Sequence, residues 1–424
     1  MLNTLTSQTN ATGHAYRSQA ARPGDSSGGI NVLPGMPGGA LAARIELLGD
    51  TTELQGALME VVNEARTSIK ADFHLLKGPA GQELARQLAR RARQGLRVQL
   101  LAWGPSTPAF AEAVRTARAQ GLNVRVARGG QPNANAVGKF MVADDRTALV
   151  GHAGLGGRAR RGLWRVSGEA AGEIGRQFNH DWADAGGTPM PLANQGDYAR
   201  QGRADTLSQV HVGGNGPQRK LARGLVLGAL QRARTTIEVM GDRVDDPAVV
   251  AALIAAHRRG VQVKVLLGSQ AGEGGWLNGQ AGAIARLQRA GVPVRRYHRA
   301  GTALAVELRF GVVDGEAVLF GSMPWTAAGF AAGGEVLLEA RGGREIASVR
   351  AAFRHDWDQS EAATPPSRGT VLSAKLAPAL AAIGRVVSRY SPAKVARQVL
   401  DLQVGVVRFP GGKWKVVTDT RRTA

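Results

Sequence analysis

The sequence predicts an α/β protein that builds one unit twice, and three observations carry this. An amphipathic helix closing on a basic turn and a glycine leads into an apolar strand twice in each half. The first half has LARQLARRARQG before LRVQLLAW and AEAVRTARAQG before LNVRVA; the second has VVAALIAAHRRG before VQVKVLLG and AGAIARLQRAG before VPVRRY. Helix alternating with strand is the pattern of an α/β domain with a parallel or mixed sheet. A spacing of basic residue, four residues, Asp, six residues, Gly also occurs twice, as Lys139, Asp144, Gly151 and as Arg309, Asp314, Gly321. Each half then ends on Phe-x-His-Asp-Trp, at Phe178–Trp182 and Phe353–Trp357.

Taken in order, residues 1–40 are rich in Gly, Ser, Thr, Asn and Pro and are expected to be disordered. Repeat 1 spans 41–190. Its ARTSIKADF, from Ala65, alternates apolar and polar residues as a strand does. Gly95 and Gly121 follow its two amphipathic helices, where a helix C-terminus favours a left-handed residue. A polar, Gly-rich stretch makes 191–214 the expected linker. Repeat 2 spans 215–362 and opens the same way, with ARTTIEVMG from Ala233 and the glycines Gly260 and Gly291. The offsets agree, 309 − 139 = 170 and 357 − 182 = 175. Residues 363–424 form a basic appendage.

The stretches VGKFMVADDRTALVGHAG and ELRFGVVDGEAVLFGSMPW resemble the HxKxxxxDxxxxxxGS motif of the phospholipase D superfamily, which includes the cardiolipin synthases. With the paired helix ends and Gly334-Glu335-Val336, the resemblance covers about three quarters of the chain. It implies two repeats, each a mixed β-sheet flanked by helices, around a pseudo-two-fold cleft lined by one motif from each. It also implies a chemistry without cofactor or metal. One His attacks phosphorus, the other protonates the leaving alkoxide, and Lys and Asn side chains hold the phosphate oxygens.

Both histidine positions are replaced here, by Val137 and by Glu307. Val137 can neither attack nor donate. Glu307 could act as nucleophile or acid, or pair with a neighbouring cation such as Arg309. Lys139 and Arg309 keep the charge expected to hold phosphate, and Ser322 keeps the small polar position after Gly321. The Asn positions have become Gly154 and Pro324. Asp144, Asp314, Gly151 and Gly321 are expected to be structural. His152, in place of the first motif's Ser, is the one histidine suggested near the cleft, and a His152–Glu307 pair would span both halves. His180 and His355 are expected in packing or capping roles, and His74 and His257 also read as structural. No His/Asp cluster has metal-ligand spacing.

The net charge of +21 points to an anionic partner, nucleic acid or anionic phospholipid, or to solvated basic faces. With no Cys, disulfides and thiolate metal sites are excluded. No apolar run is long enough for a transmembrane helix, and the N-terminus lacks a signal-peptide pattern. The expected location is cytoplasmic, with possible peripheral contact at the inner membrane. From Arg368 onward there are eleven Lys/Arg against two acidic residues. Leu372, Leu376, Leu380, Ile383 and Val387 recur at helical spacing, and VGVVRFPGGKWKVV reads as a hairpin with Trp414 between two lysines. That tail could sit on an anionic membrane or a nucleic-acid backbone, or pack on the main domain. Two functions stand: a binder of phosphodiesters with a degenerate active site, or an active phosphodiesterase or phosphatidyltransferase using non-standard residues.

Overall fold

A computed structural model describes residues 41–49, 51–74, 78–103, 108–127, 140–152, 159–160, 162–192, 208–214, 219–268, 279–299, 302–303, 305–331, 334–365, 403–408 and 414–419. The stretch 1–40 and the helix expected over 372–387 lie outside them.

Repeat 1 runs β1 (Leu41–Leu48), α1 (Thr51–Glu64), β2 (Ser68–His74), α2 (Gly78–Arg93), β3 (Arg97–Trp103), α3 (Pro108–Ala119), β4 (Asn123–Val126), β5 (Phe140–Ala143), β6 (Thr147–His152), β7 (Ala159–Arg160), β8 (Gly162–Gly168) and α4 (Glu169–Asp184). Repeat 2 runs β9 (Ser208–Gly214), α5 (Arg219–Arg232), β10 (Thr236–Gly241), α6 (Pro247–Arg258), β11 (Gln262–Leu267), α7 (Gly279–Arg289), β12 (Val294–Arg296), β13 (His298–Arg299), β14 (Thr302–Ala303), β15 (Ala305–Val306), β16 (Phe310–Val313), β17 (Ala317–Gly321), α8 (Ala327–Ala331), β18 (Val336–Arg341) and α9 (Glu345–Asp358), followed by β19 (Glu361–Ala362). The hairpin expected in the tail is present as β20 (Gln403–Arg408) paired antiparallel with β21 (Trp414–Asp419).

Fifteen strands form one sheet in the order β19-β12-β11-β10-β16-β17-β18-β9-β1-β8-β6-β5-β2-β3-β4. Read outward from the β9–β1 contact, the two sides repeat each other. In each, two successive helical crossovers make a parallel trio, β2-β3-β4 and β10-β11-β12, and the motif hairpin pairs antiparallel to it. The strand β9 corrects the linker expectation, because the end of 191–214 is an ordered half of the seam. β1 and β9 pair antiparallel as Leu41↔Val210, Ala42↔Gln209 and Ala43↔Ser208. Since 208 − 41, 209 − 42 and 210 − 43 all equal 167, the pseudo-two-fold axis passes between Ala42 and Gln209.

The repeated signatures explain the packing. Gly95, Gly121, Gly260 and Gly291 all end helices with positive φ, from 84° to 92°. Phe178 stacks on Trp182 at 5.7 Å and Phe353 on Trp357 at 5.8 Å, one helical turn apart. Each Phe meets the first residue of its motif strand edge-on, Phe140 at 6.4 Å and Phe310 at 6.3 Å. One core joins these helices to both halves of the sheet, and Trp164 of repeat 1 crosses it to lie 4.2 Å from Phe320 of repeat 2. In repeat 1 the opposite face of the sheet is covered by α1, α2 and α3. The histidines of the Phe-x-His-Asp-Trp ends take no packing role. His180 and His355 are exposed, and Asp356 is the buried polar residue of the second copy.

One polar core contact has been rewritten between the repeats. In repeat 1, Lys70 and Asp145 form a fully buried ion pair at 2.5 Å, with Gly175 making room. A Cβ on Gly175 would fall 2.3 Å from the Asp145 carboxylate. The corresponding positions in repeat 2 are Glu238, Gly315 and Arg350, and Arg350 bonds Glu238 at 3.1 Å across the space Gly315 leaves. The charges have traded strand, turn and helix.

Candidate active-site cleft

Each motif is a hairpin whose turn is tied back to the start of a parallel strand. Asp144 lies at φ 54° and accepts from the backbone N–H of Arg66, Thr67 and Ser68 and from the Thr67 hydroxyl, at 2.7–2.9 Å. Asp314, also at φ 54°, does the same for Arg234, Thr235 and Thr236, with its shortest bond 2.8 Å from Thr235 N. Partial burial opposes the charge on both carboxylates, but these donors outweigh it and hold both below the usual range. Gly151 and Gly321 close the motif strands where the neighbouring strand comes nearest. A Cβ would meet the Gly162 carbonyl oxygen at 2.9 Å and that of Val336 at 2.2 Å, and φ is positive at both.

The hairpin ends meet at the seam. β15 pairs with β7 as Ala305↔Ala159 and Val306↔Arg160, joining the segments beside the two motifs. Gly334 of repeat 2 lies against the Trp103 ring of repeat 1, where a Cβ would fall 2.3 Å from the indole. Val137, Lys139 and Gly154 are outside the described residues. The backbone of His152 is described, and it pairs with Gly162 at the end of β6.

Repeat 2 shows its site in full side-chain detail. Arg309 is buried just before β16. Its Nε and Nη2 donate to the two Asp242 oxygens at 2.7 and 3.1 Å, and its Nη1 donates to the Ser322 carbonyl at 2.7 Å. Burial opposes the charge on both partners, yet their attraction prevails. The Asp242 carboxyl is held low and the Arg309 guanidinium is pushed still higher, with help from Glu335 and the half-buried Glu307. Ser322 is fully buried, and its Oγ accepts from Val336 N at 3.1 Å. The two groups expected to hold phosphate therefore make their contacts within the protein here. Pro324 lies in a turn, its carbonyl accepting from Thr326 N at 2.8 Å.

Sequence reading missed three members of this region. Asp242 is one, and its partner is 67 residues away. Asp72 on β2 is fully buried, and the Trp103 indole is the group that favours its charge. Burial first, then Asp181 and the Glu335 of the other repeat, push its carboxyl well above the usual range. Asp181 on α4 is pushed by burial to about 7 despite a 3.1 Å bond from Gln177. A position-by-position comparison of the repeats would have flagged two of them, since Asp72 aligns with Met240 and Asp242 with His74. Among the described residues, no group of three or more His, Asp or Glu is placed to hold a metal ion. No described helix is long and apolar enough to cross a membrane.

Residues 226–357 match the family model described as cardiolipin synthase, PLD-like domain. The mitochondrial cardiolipin hydrolase of Xenopus laevis is 28% identical over 132 residues, 31% of this chain; the match spans 59% of that protein's length. The crystal structure of phosphatidylserine synthase from Haemophilus influenzae Rd KW20 shares the fold, with a TM-score of 0.59 at 14% identity over 81% of this chain and 95% of that one. With two motif hairpins on two matching half-sheets about one axis, the chain has a two-repeat phospholipase D-like fold, and its residues 226–357 carry the phospholipase D-like domain.

Proposed function

We propose that this protein binds phosphodiesters, as nucleic acid or anionic phospholipid, through a phospholipase D-like cleft that has lost its ordinary catalytic pair. The observation that carries this reading is the division of the motif. The scaffold members Asp144, Asp314, Gly151 and Gly321 stand in matching structural roles, whereas Val137 and Glu307 occupy the nucleophile positions. Losing one member of a cooperating catalytic pair removes most of the rate advantage. Lys139 is the cation assigned to the phosphate, and the net charge of +21 supports an anionic ligand and a place at a cytoplasmic membrane face.

The test pairs turnover with binding. A chromogenic phosphodiester and phosphatidylglycerol should show no turnover above that of Lys139→Ala. Binding of a single-stranded oligonucleotide or of phosphatidylglycerol vesicles should fall in Lys139→Ala and weaken with salt. Turnover that disappears in Lys139→Ala would instead establish an enzyme, with His152 and Glu307 as the groups to replace next.

A further inference from the structure

We propose that Asp242 is a built-in anion occupying the phosphate seat of the second motif, so that repeat 2 rejects a ligand phosphate. This rests on the phosphodiester reading above and sharpens it, because it makes Asp242 a specificity-determining residue.

The geometry is that of an occupied anion site. A planar guanidinium recognises a phosphate through two parallel N–H groups, and Asp242 takes the Nε and Nη2 edge in that fork arrangement. The Ser322 carbonyl takes Nη1, which fixes the fork's direction. The pair is also held from behind. Asp242 stands at the end of β10, its carbonyl accepts from Gln280 Nε2 at 3.3 Å, and the N–H of the next residue, Arg243, bonds its carboxylate. The Arg243 side chain is itself turned to Asp245 at 2.8 Å. Glu335 and Glu307 add negative field around Arg309. An incoming phosphate would have to displace a carboxylate already in place and enter beside further carboxylates.

Repeat 1 has a different residue at the matching position. Ser68 and Thr236 receive equivalent strand-start contacts from Asp144 and Asp314, which fixes the alignment of β2 with β10. On that alignment, 236 − 68 = 242 − 74 = 168, so the residue matching Asp242 is His74. Repeat 1 thus has His74 at the position where repeat 2 has Asp242.

The experiment follows the Arg309 Nε–H resonance in full-length protein with isotopically labelled arginine, titrated with diethyl phosphate. In the wild-type chain the resonance should stay in place. In Asp242→Asn it should move, with affinity about tenfold tighter or more, the weight of one charge-assisted hydrogen bond to Arg. Adding Arg309→Ala to that variant should cancel the gain. A wild-type Arg309 resonance that moves at the same concentrations overturns the proposal, and so does a folded Asp242→Asn with no gain. If Asp242→Asn fails to fold, the wild-type titration decides alone. Oligonucleotide and phosphatidylglycerol vesicles keep the two ideas apart. Lys139-dependent binding of either, with no gain in Asp242→Asn, sinks this inference and leaves the phosphodiester reading standing. Binding of neither by the wild-type chain, with an Arg309-dependent gain in Asp242→Asn, does the reverse.

Discussion

Asp145→Asn should be among the most damaging single changes away from the cleft. The substitution leaves Lys70 fully buried with its carboxylate partner gone. Asn tolerates the positive φ of 53° at this position, so the loss reports charge and not backbone strain. Breaking one side of a buried ion pair costs about 3–5 kcal/mol. In a cooperative unit of this size that lowers the melting temperature by roughly 4–6 °C. Burial already depresses the Lys70 pKa against the pull of Asp145, and in the variant only the depression remains. The unfolded chain then binds the extra proton more tightly than the folded one. The deficit should therefore shrink as pH rises toward the ordinary lysine value of about 10.4. Repeat 2 supplies the rescue. Lys70→Glu with Asp145→Gly and Gly175→Arg reproduces Glu238, Gly315 and Arg350, and should return to within about 1–2 kcal/mol of wild type. Urea melts of the three proteins across alkaline pH provide the assay. A single variant within about 1 kcal/mol of wild type, or a triple variant no better than the single, refutes the reasoning.

Asp72→Met, which copies Met240 of the other repeat, should stabilise the protein by about 1–3 kcal/mol at neutral pH by removing a fully buried carboxyl that faces Asp181 and Glu335. Urea denaturation measures it. Asp181→Asn should flatten the stability–pH profile between the unfolded carboxyl value near 4 and the folded value of about 7. Across that window the unfolded chain releases the Asp181 proton first, so wild-type stability falls as pH rises. Trp164→Ala should cost about 3–5 kcal/mol, because it empties the contact of repeat 1 with Phe320 and Phe310, and thermal melts should show it.

What could be read from the sequence was what is written locally and twice. The cap glycines, the Phe-x-His-Asp-Trp ends and the motif spacing each specify a turn, a helix stop or a stacking pair within a few residues. Repetition then raised them above chance. β9 escaped because SQVHVGG is short, polar and Gly-rich, and becomes a strand only by pairing with β1 and β18 far along the chain. The site charges escaped for a related reason. Nothing near Asp242 in sequence announces Arg309, and Lys70 and Asp145 look like ordinary surface residues until the sheet brings them together. The phosphate roles assigned to Arg309 and Ser322 came from residue type, whereas the structure shows which partners those groups already hold.

The β1–β9 seam has a consequence for how the two halves can change. Both of its sides come from one chain, so closing it is an intramolecular step with a high effective concentration, whatever the dilution of the protein. A symmetric dimer of identical units would have to carry every substitution on both sides of the axis at once. Here a carboxylate can appear beside Arg309 while the matching position of the other half keeps a histidine in its sequence, and an ion pair can reverse its polarity in one half alone. Covalent fusion turns a symmetric scaffold into two independently editable sites that cannot drift apart in space.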